Sequence, residues 1–210
     1  MPFIAFEGID GSGKSTLIEG LAAELKKLQI EFDVTREPGG TPLAEEIRQL
    51  IIKTDGEAPC SKTELLLYQA GRAQHVEARV KPTLAKGGWV LCDRFTASSL
   101  AFQCGGRQLP EPEVRWLNDF ATGPVVPDLW ILVDVSVDVS ISRTKGRSAS
   151  TGQQLDRIEL EKREFHERVA SYYRKLAKAE KNWLVLDGTE APNILLNKTL
   201  EHCRGLEWIS

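Results

Sequence analysis

Two kinds of apolar pattern alternate along the chain. Short β-rich runs occur at Phe3–Phe6, Phe32–Thr35, Trp89–Cys92, Leu129–Val133 and Trp183–Leu186. Longer stretches between them repeat apolar residues at helical spacing, as from Thr16 to Leu25. Short runs separated by helical stretches are the signature of βαβ units, whose right-handed crossovers place helices on both faces of a sheet. The pattern predicts an α/β chain with a three-layer α/β/α architecture around a five-stranded parallel sheet. In such sheets ligands gather at the carboxyl ends of the strands. Three runs end in polar candidates: Glu7 to Lys14, Arg36-Glu37 and Asp93-Arg94.

Composition narrows the possibilities without choosing among them. A length of 210 residues is expected to form one domain spanning 1–210. The net charge of −3 argues against broad nucleic-acid binding. No apolar run reaches the roughly 18 residues of a membrane helix, so no membrane partner is expected. The chain enters a strand almost at once, without the basic and apolar regions of a secretory leader. Cys60, Cys92, Cys104 and Cys203 lack a C-x-x-C pairing, and reduced thiols in a cytoplasmic protein are expected. His75, His166 and His202 lack metal-ligand spacing and read as packing or surface residues.

The first candidate site lies between the first run and the first helical stretch. Gly8-Ile9-Asp10-Gly11-Ser12-Gly13-Lys14-Ser15, followed by Thr16, fits the phosphate-loop pattern G-x-x-x-x-G-K-[ST] in its proper strand–loop–helix setting. Glycines let backbone N–H groups turn inward, and the helix end adds positive potential. Lys14 is placed to reach the β- and γ-phosphates, and Ser15 to hold Mg²⁺.

Other segments add an acceptor to this donor site. Arg36-Glu37-Pro38-Gly39-Gly40-Thr41 ends the second run in a tight turn, with Thr41 capping a helix from Pro42. Tyr68 and Arg72 project from one helical face, an aromatic plane beside a guanidinium that suits a nucleobase. Asp93-Arg94 pairs a Walker B-like acid with an arginine able to clamp a second phosphate. Arg147 to Gln154 is small, polar and poor in buriable surface, and Arg143, Lys145 and Arg147 lead into it. It reads as a mobile basic lid over about 143–157.

These motifs, in order, resemble the bacterial thymidylate kinases. The resemblance rests on F-E-G-I-D-G-S-G-K-S-T, T-R-E-P-G-G-T, A-E-E-I-R, Tyr68 to Arg72, C-D-R-F, S-S-L-A-F-Q-C-G-G-R, P-D-L and L-D-R-I-E. It implies transfer of a phosphoryl group from ATP, with Mg²⁺, to thymidine monophosphate, and a homodimer. Gly8 to Thr16 would hold ATP, with Asp10 near the transferring group. Glu37 would lie at the metal and acceptor edge, beside Ser15 as a metal ligand, and Arg48 on the monophosphate side. Tyr68 would stack on thymine, Arg72 contact a base carbonyl and Arg94 bind the acceptor phosphate. Ser98, Ser99, Phe102 and Gln103 would line the base and sugar pocket. Asp156 and Glu159 would sit near the acceptor sugar or phosphate end, with Arg157 a lid cation beside Arg143, Lys145 and Arg147.

The resemblance also implies where the catalytic cation originates. Family members carry either an arginine inside the phosphate loop or glycine there with basic residues in the lid. Gly11 together with Arg143, Lys145 and Arg147 follows the second style. The family often has Tyr at Phe95 and Phe102, so the loss of a hydroxyl near the sugar at Phe102 is expected to weaken discrimination against ribose. Two other readings stay open at this stage. One is a related kinase acting on uridylate, cytidylate or a nucleoside; the other is a non-catalytic nucleotide-binding module.

Overall fold

A computed structural model describes residues 1–152, 154–179 and 181–209. Its strands are β1 Phe3–Glu7, β2 Phe32–Arg36, β3 Trp89–Asp93, β4 Leu129–Asp134 and β5 Trp183–Asp187. They form one parallel sheet in the order β2-β3-β1-β4-β5. Each strand runs one residue past its predicted run and ends on a charged side chain: Glu7, Arg36, Asp93, Asp134 or Asp187. The backbone ladder continues at these positions while the side chain leaves the apolar layer.

The centre of the sheet explains why β1 reads as an uninterrupted run. All five of its residues are buried, and Ala5 sits between Cys92 and Trp130 in register. One face is covered by helix α1 (Lys14–Lys27) and the last helix, Pro192–Gly205. Leu17, Leu21, Leu25, Leu195 and Leu200 pack there with Ile4, Phe6, Leu91 and Ile131. The remaining helices are α2 (Pro42–Ile52), α3 (Ser61–His75), α4 (Lys81–Ala85), α5 (Thr96–Ser99), α6 (Glu111–Thr122), α7 (Val137–Thr151) and α8 (Arg163–Ala179), before α9 (Pro192–Gly205). On the opposite face Phe3, Cys92, Phe95 and Leu132 meet Val76, Val114, Phe165 and Val169. This is the expected three-layer α/β/α arrangement.

Two wide-turn π-helical segments, Val76–Val80 and Leu100–Gly106, interrupt the regular helices. The second carries Phe102 and Gln103, and wide turns often mark functional positions. Its end lies hard against α8. A Cβ on Gly105 would come within 2.8 Å of the Tyr172 Cβ, and one on Gly106 within 2.4 Å of the Phe165 ring. Thr41 caps α2 as expected, accepting from the Ala44 N–H at 3.3 Å.

The segment read as flexible by composition is helical over most of its length. Helix α7 continues through Arg147 to Thr151 and stops at Gly152, which has a φ of +70°. Its small polar residues do not compete with the helix. Ser150 Oγ and Thr151 Oγ1 donate back to the Arg147 carbonyl, at 3.0 and 2.8 Å. Gln153, also part of that reading, lies outside the described residues.

Candidate active site

The phosphate loop forms where β1 passes into α1. Gly8, Gly11 and Gly13 have φ of +134°, +72° and +108°, a region other residues enter only at a cost. At Gly8 a side chain is also excluded by space, because a Cβ would lie 2.4 Å from the Val133 carbonyl oxygen. Asp10 to Leu17 line a cleft of about 950 Å³, while Gly8 and Ile9 form the buried base of the loop. The first turn of α1 carries no acid, so its positive potential is left for an anion. Lys14 Nζ donates to the carbonyls of Gly8 at 3.0 Å and Ile9 at 3.3 Å. Burial and the nearby Arg94 charge pull its pKa down, against the pull of Asp93, Asp10 and Glu7.

Arg94 occupies the junction between the loop and the acceptor side. It follows β3 with a φ of +71°. Its Nη2 donates to Asp10 Oδ1 at 2.8 Å, and its Nη1 to Tyr173 Oη at 3.1 Å and more weakly to Ser98 Oγ at 3.4 Å. The guanidinium also lies over the Phe102 ring, 5.0 Å from its centre. Burial opposes the ionisation of Asp10, but the Arg94 and Lys14 charges outweigh it and hold the carboxyl at about 2.

A smaller cavity of about 80 Å³ opens beside this junction, lined by Tyr68, Arg72, Ser98, Ser99, Phe102 and Gln103 among others. Asp10, Glu37, Arg48, Arg94 and Asp156 line both cavities, so the two are ends of one cleft. Arg48 Nη1 donates to the Pro38 carbonyl at 3.2 Å, fastening α2 to the turn after β2. Arg72 is buried and held on all sides. It donates to Glu37 Oε2 at 2.7 Å, to Ser99 Oγ and Asn118 Oδ1 at 2.8 Å each, and to the Phe95 carbonyl at 3.0 Å. Burial, with the nearby Glu64 carboxylate, pushes the Tyr68 hydroxyl pKa up, so it is neutral.

The structure redirects several expected roles. Glu37 lies in the cleft, yet its oxygens are engaged by Arg72 and by His75 Nδ1 at 2.9 Å. It anchors the base-side arginine instead of presenting a free carboxylate to a metal. Arg143 lines the donor end but points its Nη1 at the carbonyls of Gly11, Ser12 and Gly188, at 3.2, 3.3 and 2.9 Å. It braces the phosphate loop. Lys145 is exposed and lines neither cavity, because it stands on the outer face of α7. Arg147 does line the donor end and pairs with Glu159. Arg157 lines neither end. Its guanidinium turns inward to Glu64 Oε2 at 2.6 Å and to the Ile51 carbonyl at 2.9 Å. Asp156 Oδ1 accepts from the Ile158 and Glu159 N–H groups at 2.9 Å each, shaping the turn at the cleft edge.

Some contributors were only faintly legible in the chain. Glu7 is fully buried and accepts from the Phe95 N–H at 2.9 Å, Ser98 Oγ at 2.6 Å and Tyr173 Oη at 2.7 Å. Burial raises its pKa against those donors and Arg94. Its only signal was its place at a strand end. Tyr173 follows Phe165 and Val169 at four-residue spacing and so reads as core. His75, expected to be a packing or surface residue, joins Glu37 to Thr35 Oγ1, which lies 2.7 Å from its Nε2.

Two buried side-chain oxygens, Ser12 Oγ and Asp93 Oδ1, have no hydrogen-bond partner among the described residues. Asp93 lines the donor end with Lys14 and Ser15. An unpaired buried carboxylate oxygen in a cleft that the Ser15 hydroxyl also lines fits a hydrated Mg²⁺ carried in by a polyphosphate. Among the described residues no cluster of three or more His, Cys, Asp or Glu could hold a metal unaided, and no helix is long and apolar enough to cross a membrane.

The thymidylate kinase family profile matches residues 6–198. The thymidylate kinase of Bdellovibrio bacteriovorus is 51% identical over 202 residues, covering 96% of this chain and 94% of that protein. Those of Fervidobacterium nodosum and Pseudomonas savastanoi pv. phaseolicola are 45% and 46% identical, over 89% and 85% of this chain and 90% and 82% of their own lengths. A cleft with a phosphate loop at one end and a guanidinium-lined pocket at the other, together with these matches over almost the whole chain, places the protein in the thymidylate kinase family.

Proposed function

We propose that the chain transfers the γ-phosphoryl group of ATP to thymidine 5′-monophosphate, giving ADP and thymidine 5′-diphosphate. The observation that carries this reading is Arg94, a guanidinium 13% exposed between the phosphate loop and the pocket of Tyr68 and Arg72. An acceptor phosphate on Arg94 would face a γ-phosphate held by the loop, while its base lies between Tyr68 and Arg72.

The acceptor oxygen is already anionic, so no strong general base is needed, and the residues act by positioning and by neutralising charge. Loop N–H groups and Lys14 take the donor phosphates. Arg94 takes the acceptor phosphate, trading part of its pairing with Asp10 for a second anion. Arg147 reaches the donor end from α7. Ser15 and Asp93 would hold Mg²⁺, which offsets phosphate charge when bound. Ser98, Ser99 and Gln103 would line the base and sugar end. Phe102 packs on Arg94 and offers no hydroxyl to the sugar, which supports weak discrimination against ribose.

Supporting the implied homodimer, Trp116 and Phe120 stack on the exposed face of α6, with ring centres 5.7 Å apart. The same reading puts the enzyme in the cytoplasm, where its four free cysteines stay reduced. An acceptor panel of thymidylate, uridylate, cytidylate and thymidine, assayed by ADP release with Mg²⁺, tests the reaction. Thymidylate-dependent turnover that vanishes in Lys14→Ala is expected. ATP binding without turnover on any acceptor would make the protein a binding module instead.

A further inference from the structure

The buried carboxylate of Glu64 ties together parts of the site that belong to different ends of the cleft. Its Oε1 accepts from Gln103 Nε2 at 3.1 Å and Arg107 Nε at 3.0 Å, and its Oε2 from Arg107 Nη2 at 2.9 Å and Arg157 Nη2 at 2.6 Å. Only 1% of its side chain is exposed. Burial works against its charge, yet the two guanidiniums lower its pKa, so it stays ionised at neutral pH. Gln103 lines the base pocket. Arg157 lies in the turn whose flanking residues, Asp156 and Glu159, line the donor end, and Glu159 pairs with Arg147 of α7.

Charge-assisted contacts, joined through the backbone of the turn at Arg157, therefore run from the base pocket to Arg147, a cleft-lining cation of α7. Their order is Gln103, Glu64, Arg157, the Asp156–Glu159 turn, then Arg147. Arg157 adds a second anchor. Its backbone N–H donates to the Ile52 carbonyl at 3.2 Å and its Nε to that of Ile51, fixing the turn to the end of α2. The turn has few other restraints toward the core, with Ile158 its one buried apolar residue. Removing a member of such a buried network exposes the others to misplacement, and a small misplacement of a charged group is costly in rate.

We propose that Glu64 and Arg157 are positioning residues that couple the acceptor base pocket to the placement of Arg147 over the transferring phosphoryl group. Neither touches substrate. The proposal rests on the thymidylate kinase reading above. Rearrangement of Gln103 against a bound base is felt by Glu64 and passed through Arg157 to the turn that holds Arg147.

A double-mutant cycle tests it, with kcat and KM for thymidylate and ATP measured in wild type, Arg157→Ala, Arg147→Ala and the double variant. Arg157→Ala is expected to lower kcat about tenfold in the wild-type background and less than about twofold when Arg147 is already absent. Glu64→Gln is expected to reproduce that loss of kcat. It should also raise the thymidylate KM several-fold with the ATP KM unchanged, because Gln103 loses its charged anchor. Effects that multiply in the double variant would overturn the proposal. So would variants that melt at lower temperature but keep wild-type kcat and KM well below melting. Glu64→Asp, which keeps the charge, should restore part of the kcat; if Glu64→Gln fails to fold, the Arg157 cycle decides alone. Absence of thymidylate turnover in the wild type would instead refute the activity itself.

Discussion

Replacing Asp10 with Asn isolates the charge that holds Arg94 in the free enzyme. Asn keeps the shape and a carbonyl acceptor for Arg94 Nη2, so the substitution removes mainly the ion pair, whose length is 2.8 Å. Asp10 titrates at about 2 in the folded chain against 3.8 for an ordinary aspartate, burial resisting and Arg94 and Lys14 prevailing. That difference corresponds to about 2 kcal/mol of stabilisation. Nearly a third of the Asp10 side chain meets solvent (32%), so screening reduces the expected value to about 1 kcal/mol. The folded pKa lies below the unfolded one. The stabilisation is therefore complete above about pH 5 and drains away as pH falls through about 4 towards 2. Urea unfolding of wild type and Asp10→Asn should show a gap of about 1 kcal/mol at pH 7 and pH 5. By pH 3 about half of it should be gone. A gap that persists undiminished at pH 3, or none at pH 7, would refute the claim that Arg94 and Lys14 hold Asp10 ionised.

Three further outcomes follow from the same geometry. Arg94→Ala should raise the thymidylate KM by about 30-fold or more, the cost of truncating a largely desolvated charge-assisted contact, and the ATP KM by less than about threefold; the reverse pattern in initial-rate kinetics would exchange the donor and acceptor ends. Gly11→Ala should lower stability by about 2–4 kcal/mol, because φ is +72° and the new Cβ would meet the Ser140 carbonyl at 3.0 Å. In calorimetry this is a fall in Tm of roughly 5–15 °C, and an unshifted Tm would show that α7 does not press on the loop. Phe120→Glu places a charge on the stacked aromatic pair of α6 and should convert the proposed dimer to monomers in sedimentation, whereas an unchanged mass would remove α6 from the proposed subunit contact.

Much of the fold was readable because the three central strands are buried along nearly their whole length and the two edge strands still carry short apolar runs, and all five runs became strands. The phosphate loop was readable because its glycines meet a backbone demand that few sequences satisfy. Direction was much harder to read than position. Arg157 stands beside Asp156, a cleft residue, but the turn rotates its side chain inward to Glu64. Arg143 and Arg147 lie one helical turn apart on α7 and both line the cleft, yet one is turned to loop carbonyls and the other to the Glu159 carboxylate. Helix Arg147–Thr151 was missed because serine and threonine discourage helices in general, whereas here their hydroxyls return to a carbonyl of the same helix. Wide turns such as Leu100–Gly106 leave no periodic signal, since they depend on the fit of Gly105 and Gly106 against α8.

The contact between Gly11 and α7 supports the proposal that the cation comes from outside the loop. Gly11 lies against Ser140, Arg143 and Thr144, and Ser140 Oγ donates to the Asp10 carbonyl at 2.6 Å. An arginine at position 11 would have to displace the helix that Arg143 fastens to the loop. The space a loop cation would need is thus filled by the support for another cation, four residues further along α7. Arg147 is held meanwhile by Glu159, a single carboxylate that is only 12% exposed. A bound triphosphate would present several negative charges to the same guanidinium, where Glu159 presents one. The proposed role of Arg147 thus requires Glu159 to hold it at the cleft and to yield it to that stronger attraction.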